Sequence, residues 1–258
     1  MPELQPIIWI AVVAGGIISG FIDSIAGGGG LITLPVLLAA GLPPHLAIGT
    51  NKVQSVFGSG TAAWRYGRQK LIPWRRIWPG VAMSLAASAA GAWTVRRIDA
   101  SALERILPFI LLALWFYVAL KTNLGDTESR ARMKPAHFYP AAGTLFGFYD
   151  GFLGPGTGSF WTVSQVGLTG MDLKQATAAT KPSNFASNLG ALAFFLITGT
   201  AVIPVGLAMA AGQVVGSWLG SHLVIRHQPR FIRPFFLAVV AATVVKLFWD
   251  HWGTAVFG

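Results

Sequence analysis

Asp23 and Lys52 in the first half of the chain, and Asp150 and Lys181 in the second, are charges set in stretches otherwise too apolar to hold them. Each aspartate shortly precedes a glycine run: Gly27, Gly28, Gly29 and Gly30 in "FIDSIAGGGG", and Gly154, Gly156 and Gly158 in "GFLGPGTGS". A lysine at the centre of a bilayer helix costs roughly 2.5–3.5 kcal/mol, so each lysine is expected to face a partner or water, with an aspartate as the expected partner. A glycine run in lipid would strand backbone N–H and C=O groups, so such backbone persists only against protein or a wet cavity. Directly after each run comes a short apolar piece, LITLP or SFWTV, whose first turn would point free N–H groups and a positive dipole end at the break. Broken helices whose N-termini face a midplane cavity form an anion site. The other reading of the glycines is close packing at a helix crossing.

The charges likewise carry two readings. Each Asp–Lys pair is a static bridge that holds a broken helix, or the lysines bind an anion while Asp23 and Asp150 exchange protons. Around the lysines, "AIGTNKVQS" supplies Thr50, Asn51, Gln54 and Ser55, with Ser59 one turn further, and "ATAATKPSN" supplies Thr180, Ser183 and Asn184, with Ser187 and Asn188 beyond. Ser55 and Ser59 share a helical face, as do Asn184 and Asn188. These side chains either complete an oxyanion site or join helices. No strand precedes either glycine run and no GK[ST] follows, which removes a dinucleotide or P-loop reading. His45, His137, His222, His227 and His251 show no ligand spacing and cysteine is absent, so no metal or other cofactor is expected. No His-Ser-Asp or paired-carboxylate constellation gathers near the glycines, so an enzyme is not expected.

The elements that must hold these residues are membrane helices. The chain has 258 residues, 53% apolar and 11% charged, where a soluble domain carries about a quarter charged. Apolar stretches lie near 7–26, 31–41, 45–64, 77–95 and 102–120, then, after a polar linker at 121–137, near 138–153, 159–170, 175–198, 201–225 and 231–249. The expected fold is all-α and polytopic, with about 8–10 membrane segments. The first stretch lacks a basic leader and reads as a retained helix. The net charge of +10 sits mostly in loops, as orientation signals do, so nucleic acid is not an expected partner and the lipid bilayer is.

The halves also correspond. Asp23 and Gly27 recur as Asp150 and Gly154 at an offset of 127, Gly30 as Gly158 at 128, and Gly41, Ala47 and Lys52 as Gly170, Ala176 and Lys181 at 129. We read an internal duplication, with residues 1–128 as the first repeat and 129–258 as the second, in one membrane domain. The short second segments fall below the roughly 20 residues a spanning helix needs, so they are broken or re-entrant. If they count as crossings the repeats are inverted; if they re-enter, a half has four crossings and the repeats are parallel. With the basic loop at 65–76 in the cytoplasm, the inverted arrangement places 13 Lys and Arg inside against 4 outside, and the parallel one 10 against 7. The positive-inside rule favours inversion. Rows of small residues (Gly143, Gly147, Gly151; Gly212, Gly216, Gly220; Ala86–Ala92) read as helix-packing faces. Trp64, Trp74, Trp78, Tyr139, Trp249 and Trp252 read as interfacial anchors.

Taken in order, "GFIDSIAGGGGLITLPVLLAAG", "AIGTNKVQS", "GFYDGFLGPGTGSF", "ATAATKPSNFASN" and "GQVVGSWLGSHLV" span nearly the whole chain, and together they resemble the TauE/SafE family of membrane transporters, particularly its YfcA-like branch. The resemblance implies a permease of the bacterial inner membrane, in a family associated with sulfite and organosulfur anions. On it, the substrate-binding residues are Gly27 to Gly30, Thr50, Asn51, Lys52 and, in the second half, Gly154, Gly156, Gly158, Thr180, Lys181, Asn184 and Asn188, with Ser55 added from the residue pattern. Pro182 departs from the apolar residue expected after Lys181 and is expected to kink its segment. The expectation is a secondary transporter of a small anion with a midplane site. Protons or another ion would couple through Asp23 or Asp150, and a homo-oligomer is possible. A gated anion channel and a non-transporting membrane protein are the rival readings.

Overall fold

The computed structural model describes residues 6–99 and 130–226, with residues 102 and 109. Most of the segment at 102–120, the first part of the linker, the segment at 231–249, and Trp249 and Trp252 lie outside the described residues.

Among the described residues the chain is all-helical: α1 (Pro6–Ala26), α2 (Gly30–Ala39), α3 (Pro44–Arg68), α4 (Trp74–Val95), α5 (Pro135–Phe152), α6 (Thr157–Ser164), α7 (Leu173–Ile197) and α8 (Ile203–Arg226), with a π-helix at Gln165–Thr169 continuing α6. Local chemistry sets the boundaries. Gly27, with φ +74°, ends α1 in the left-handed conformation that favours glycine, its N–H donating to the Asp23 carbonyl at 2.9 Å. Pro44 opens α3, where a missing N–H costs nothing, and the Asp172 carboxylate caps α7 by accepting from the Gln175 N–H at 2.8 Å. The helix α7 continues through Pro182, which cannot donate to the carbonyl four residues before it.

Two hydrophobic clusters mark the ends of the bundle. The first gathers Val12, Leu37, Ile48, Val95, Leu153, Phe195 and Val205; the second gathers Ile25, Tyr66, Ile77, Tyr139, Val166, Ala176 and Val224. Tracing the chain between them gives each helix a direction. α1 runs from the first cluster toward the second, and α2 returns to the first; α3 crosses and α4 crosses back. α5 starts at the second cluster, and α6 with the π-helix returns there; α7 then crosses to the first cluster and α8 crosses back. The short helices therefore fold back beside the long ones that precede them. At about 1.5 Å per residue, ten-residue α2 covers about 15 Å, half a bilayer core.

Charge and apolarity are inverted relative to a soluble domain. Lys52 and Lys181 are fully buried, while Leu145, Trp78 and Ile197 are 65%, 63% and 86% exposed. α1 and α8 are each long and apolar enough to cross a membrane. The two glycine rows do form packing faces, whereas Ala86 and Ala90 of the alanine row are exposed: Gly143, Gly147 and Gly151 lie against Gly80, Ser84 and Ser88 of α4, and Gly212, Gly216 and Gly220 lie against α1 between Val13 and Ser24. Both contacts join helices from different halves of the chain, so the halves share one packed body. Trp64, Trp74 and Trp78 are exposed as expected of anchors, but Tyr139 is not: it is fully buried, donating its hydroxyl proton to Gln165 at 3.1 Å.

Candidate functional site

The two glycine breaks meet. Backbone at Gly27 lies against backbone at Gly158, so close that a Cβ at Gly27 would stand 2.3 Å from the Gly158 carbonyl carbon. The Ser159 N–H donates to the Gly27 carbonyl at 2.9 Å, and the Ser159 hydroxyl donates to the Ala26 carbonyl at 2.8 Å. Gly30 faces the Pro155 backbone in the same way. Only glycine permits this approach, and it brings the N-termini of α2 and α6 to one place between the two hydrophobic clusters.

There the breaks enclose a small cavity lined by Asp23, Gly27, Gly29, Gly30, Asn51, Ser55, Asp150, Gly154, Gly156, Thr157, Gly158, Asn184, Asn188 and Gln213. About 30 Å³ is open to the centres of water molecules, room for about two waters. Among the described residues the N–H groups of Gly30, Gly156 and Gly158 find no protein acceptor. These unpaired donors line the cavity where two helix dipoles point their positive ends, which is the arrangement that attracts an anion.

The lysines and aspartates pair across the halves. Lys52 Nζ donates to Asp150 Oδ1 at 2.7 Å and to Asn188 Oδ1 at 3.2 Å. Asp150 Oδ2 accepts from the Ser187 hydroxyl. Lys181 Nζ donates to Asp23 Oδ2 at 3.2 Å and to the Asp23 main-chain carbonyl. Asp23 Oδ1 also accepts from the Gly29 N–H at 3.1 Å, so this carboxylate clamps the break that follows it. Gly154 makes room for the first pair, since a Cβ there would lie 2.6 Å from Lys52 Nζ. An aspartate was the expected partner of each lysine; its belonging to the other half was not foreseen.

The expected site residues divide on this geometry. Asp23, Gly27, Gly29, Gly30, Asn51, Ser55, Asp150, Gly154, Gly156, Gly158, Asn184 and Asn188 line the cavity, whereas Gly28, Thr50, Lys52, Thr180 and Lys181 do not. Thr50 accepts from the Val202 N–H at 2.9 Å, which ties α3 to the turn before α8. Thr180 accepts from Gln165 Nε2 at 2.8 Å and fastens the π-helix to α7. The lysine ammonium groups stand behind cavity-lining partners, Lys52 behind Asp150 and Asn188 and Lys181 behind Asp23.

Thr157 and Gln213 line the cavity without having been singled out. Gln213 donates to the Ser19 hydroxyl at 3.0 Å, and Ser19 donates to the Gly29 carbonyl at 2.9 Å, so α8 steadies the first break through α1. The only sequence signal for Gln213 was an uncharged polar residue beside the Gly212 packing row. Asn51 is held by Thr33 and Gln54, whose side chains donate to its Oδ1 at 2.5 and 2.7 Å.

Comparison with known proteins agrees with this picture. The family described as "Sulfite exporter TauE/SafE" matches residues 12–247. "Probable membrane transporter protein ORF9" of Sinorhizobium sp is 42% identical over 233 residues, covering 90% of this chain and 89% of that one. "Probable membrane transporter protein YfcA" of Escherichia coli strain K12 is 39% identical over 92% of this chain and 88% of its own. A probable membrane transporter of Haemophilus influenzae is 38% identical over 92% of both. No solved structure matches the chain. With its inverted polarity and broken helices, this chain is a multi-pass membrane protein of a transporter rather than an enzyme family, and it belongs to the sulfite exporter TauE/SafE family.

Proposed function

We propose that the protein is a secondary transporter that moves a small anion, of the sulfite or organosulfonate class, across the bacterial inner membrane by alternating access. One observation carries this reading: two glycine breaks from opposite halves of the chain meet and turn unpaired N–H groups of α2 and α6 into one polar cavity. Oxyanions are what such donors bind. Gly27, Gly29, Gly30, Gly154, Gly156, Gly158, Asn51, Ser55, Asn184 and Asn188 would contact the solute. Thr50 and Thr180 would serve the scaffold, and Lys52 and Lys181 would act from behind their aspartates.

Inverted repeats of residues 1–128 and 129–258 fit the helix directions, since α1 to α4 run opposite to α5 to α8 in order. Sequence counting tied re-entrant short helices to parallel repeats by treating the first helix of each half as a crossing. In this fold each long–short pair is a hairpin that returns to its starting side, so re-entrant short helices are compatible with inverted repeats. Arg65, Arg68, Lys70, Arg75, Arg76, Lys174 and Arg226 lie at the second-cluster end and Arg96 and Arg97 at the first, which makes the second-cluster end cytoplasmic. Alternating access would then rock one repeat against the other around the meeting point of the breaks. The cavity, with room for about two waters, holds a sulfur oxyanion only after widening, as a site between open states would.

Thermal-shift screening of the purified protein against sulfite, sulfate, thiosulfate, sulfoacetate and taurine tests the substrate class, followed by counterflow in liposomes. Stabilisation by at least one of these anions with saturable counterflow is expected. Absence of both, or single-channel currents in place of saturable flux, rejects the proposal.

A further inference from the structure

Among the described residues the crossed pairs leave the cavity without net side-chain charge, because Asp150 matches Lys52 and Asp23 matches Lys181. An anion entering such a site is an uncompensated charge withdrawn from water, which is strongly unfavourable. The dipole ends of α2 and α6 offset part of that penalty, each worth about half a charge at most and screened wherever water reaches. A compensating cation therefore has to arrive with the solute. A proton taken by one aspartate supplies it, since neutralising the carboxylate leaves its lysine as an unmatched positive charge beside the cavity.

Geometry separates the two carboxylates. The Asp150 side chain is 5% exposed, and both its oxygens accept hydrogen bonds from buried side chains. Asp23 lines the same cavity and its oxygens are likewise engaged, by Lys181 and the Gly29 N–H, but its side chain is 18% exposed and its ion pair is longer, at 3.2 Å. Lys181 has a second acceptor in the Asp23 main-chain carbonyl, so the ammonium stays in place when the carboxylate is neutral. Among the described residues the titratable groups facing Asp23 are Lys181 from α7 and Tyr66 from α3, whose hydroxyl is already donated to the Ser24 carbonyl at 2.7 Å. The helix α8 presents the neutral Gln213 and α2 has no ionisable side chain; across the cavity stands the Lys52–Asp150 pair.

We propose that Asp23 is the proton-binding site of the transport cycle, so that one proton on its carboxylate and one solute anion occupy the cavity together and leave it together. The inference rests on the anion-transport reading and adds a stoichiometry: a monovalent sulfonate moves with one proton and no net charge. Coupling of this kind is reciprocal, so lowering the pH raises affinity for an anion whose own charge is constant, by a factor within the usual range of about 5 to 150.

The test uses the full chain in liposomes loaded with a pH-sensitive dye, with methanesulfonate, a strong-acid anion, as probe. An inward methanesulfonate gradient is expected to acidify the lumen at a rate that a potassium–valinomycin potential does not change. Asp23→Asn is expected to flatten the pH dependence of the remaining flux, while the flux that remains in Asp150→Asn keeps the pH dependence of the wild type; the reverse pattern overturns the assignment to Asp23. Should the Asp23 variant fail to fold, calorimetry of the wild type in two buffers of different ionisation enthalpy gives the same information, with about one proton taken up per anion expected. Methanesulfonate counterflow without lumen acidification, or with a rate that follows the membrane potential, overturns the proton site and leaves the transport reading intact. No counterflow of methanesulfonate or of any anion in the screen overturns both.

Discussion

The two crossed ion pairs use the same residue types on corresponding segments, yet they differ in how they are held. Lys52–Asp150 touches the cavity through Asp150 but is nearly closed to solvent, with Asn188 and Ser187 filling out the polar partners. Lys181–Asp23 is longer and partly exposed, and it spends one carboxylate oxygen on the Gly29 N–H. A buried pair with complete hydrogen bonding is a fixture, because moving either charge strands the other in low dielectric. A pair that opens on a cavity and clamps a helix break can change state, and the break changes with it. The two pairs thus differ in their second partners, and on the proposed cycle one is a fixture and the other the pair that responds.

The largest effect that would sharpen this contrast is on stability. Asp150→Ala leaves the fully buried Lys52 ammonium without a counter-charge, with Asn188 as its remaining acceptor, and is expected to cost about 3–5 kcal/mol. Asp23→Ala is expected to cost less, since Lys181 keeps a carbonyl acceptor and its partner was never fully dry. Thermal unfolding in detergent compares them, and equal midpoints would erase the distinction. Next comes the meeting of the breaks. Gly27→Ala and Gly41→Ala both place alanine at positive φ, +74° and +86°, but a Cβ at Gly41 meets nothing within 4 Å while one at Gly27 runs into Gly158. Gly41→Ala is therefore expected to cost about 1–2 kcal/mol with flux preserved, and Gly27→Ala to cost more and abolish counterflow; matched fluxes would deny the contact a functional part. Ser187→Ala removes a hydroxyl donor to a charged carboxylate and is expected to cost about 1.5–3 kcal/mol. The smallest effect is Ser19→Ala, at about 1 kcal/mol, through loss of the link from Gln213 to the Gly29 carbonyl. A reversed order between the two serines would mean that the first break, not Asp150, is the more tightly held.

Much of the site was legible because each local oddity is costly in lipid. Glycine runs, a buried aspartate and a buried lysine need a reason wherever they occur in an apolar stretch, and the cavity lies between the segments that carry them. Thr50 and Thr180 could not be told from the cavity-lining residues by type and spacing; in the fold they lie outside the lining and bond to Val202 and Gln165. Tyr139 looked like an anchor because it lies near a segment end; burial between Phe138 and Trp161 reverses that. Gln213 gave no warning, since an uncharged amide beside a small-residue row costs too little to stand out.

What the sequence by itself determined is the class of the molecule: all-helical and polytopic, with broken segments and charges that need partners, because insertion cost and backbone satisfaction act residue by residue. Tertiary structure decided who pairs with whom. Lys52 and Asp150 are 98 positions apart and Lys181 and Asp23 are 158, separations over which periodicity and composition carry no information. Only the packing of α1 on α8 and of α4 on α5 brings the breaks together and lets each half neutralise the lysine of the other.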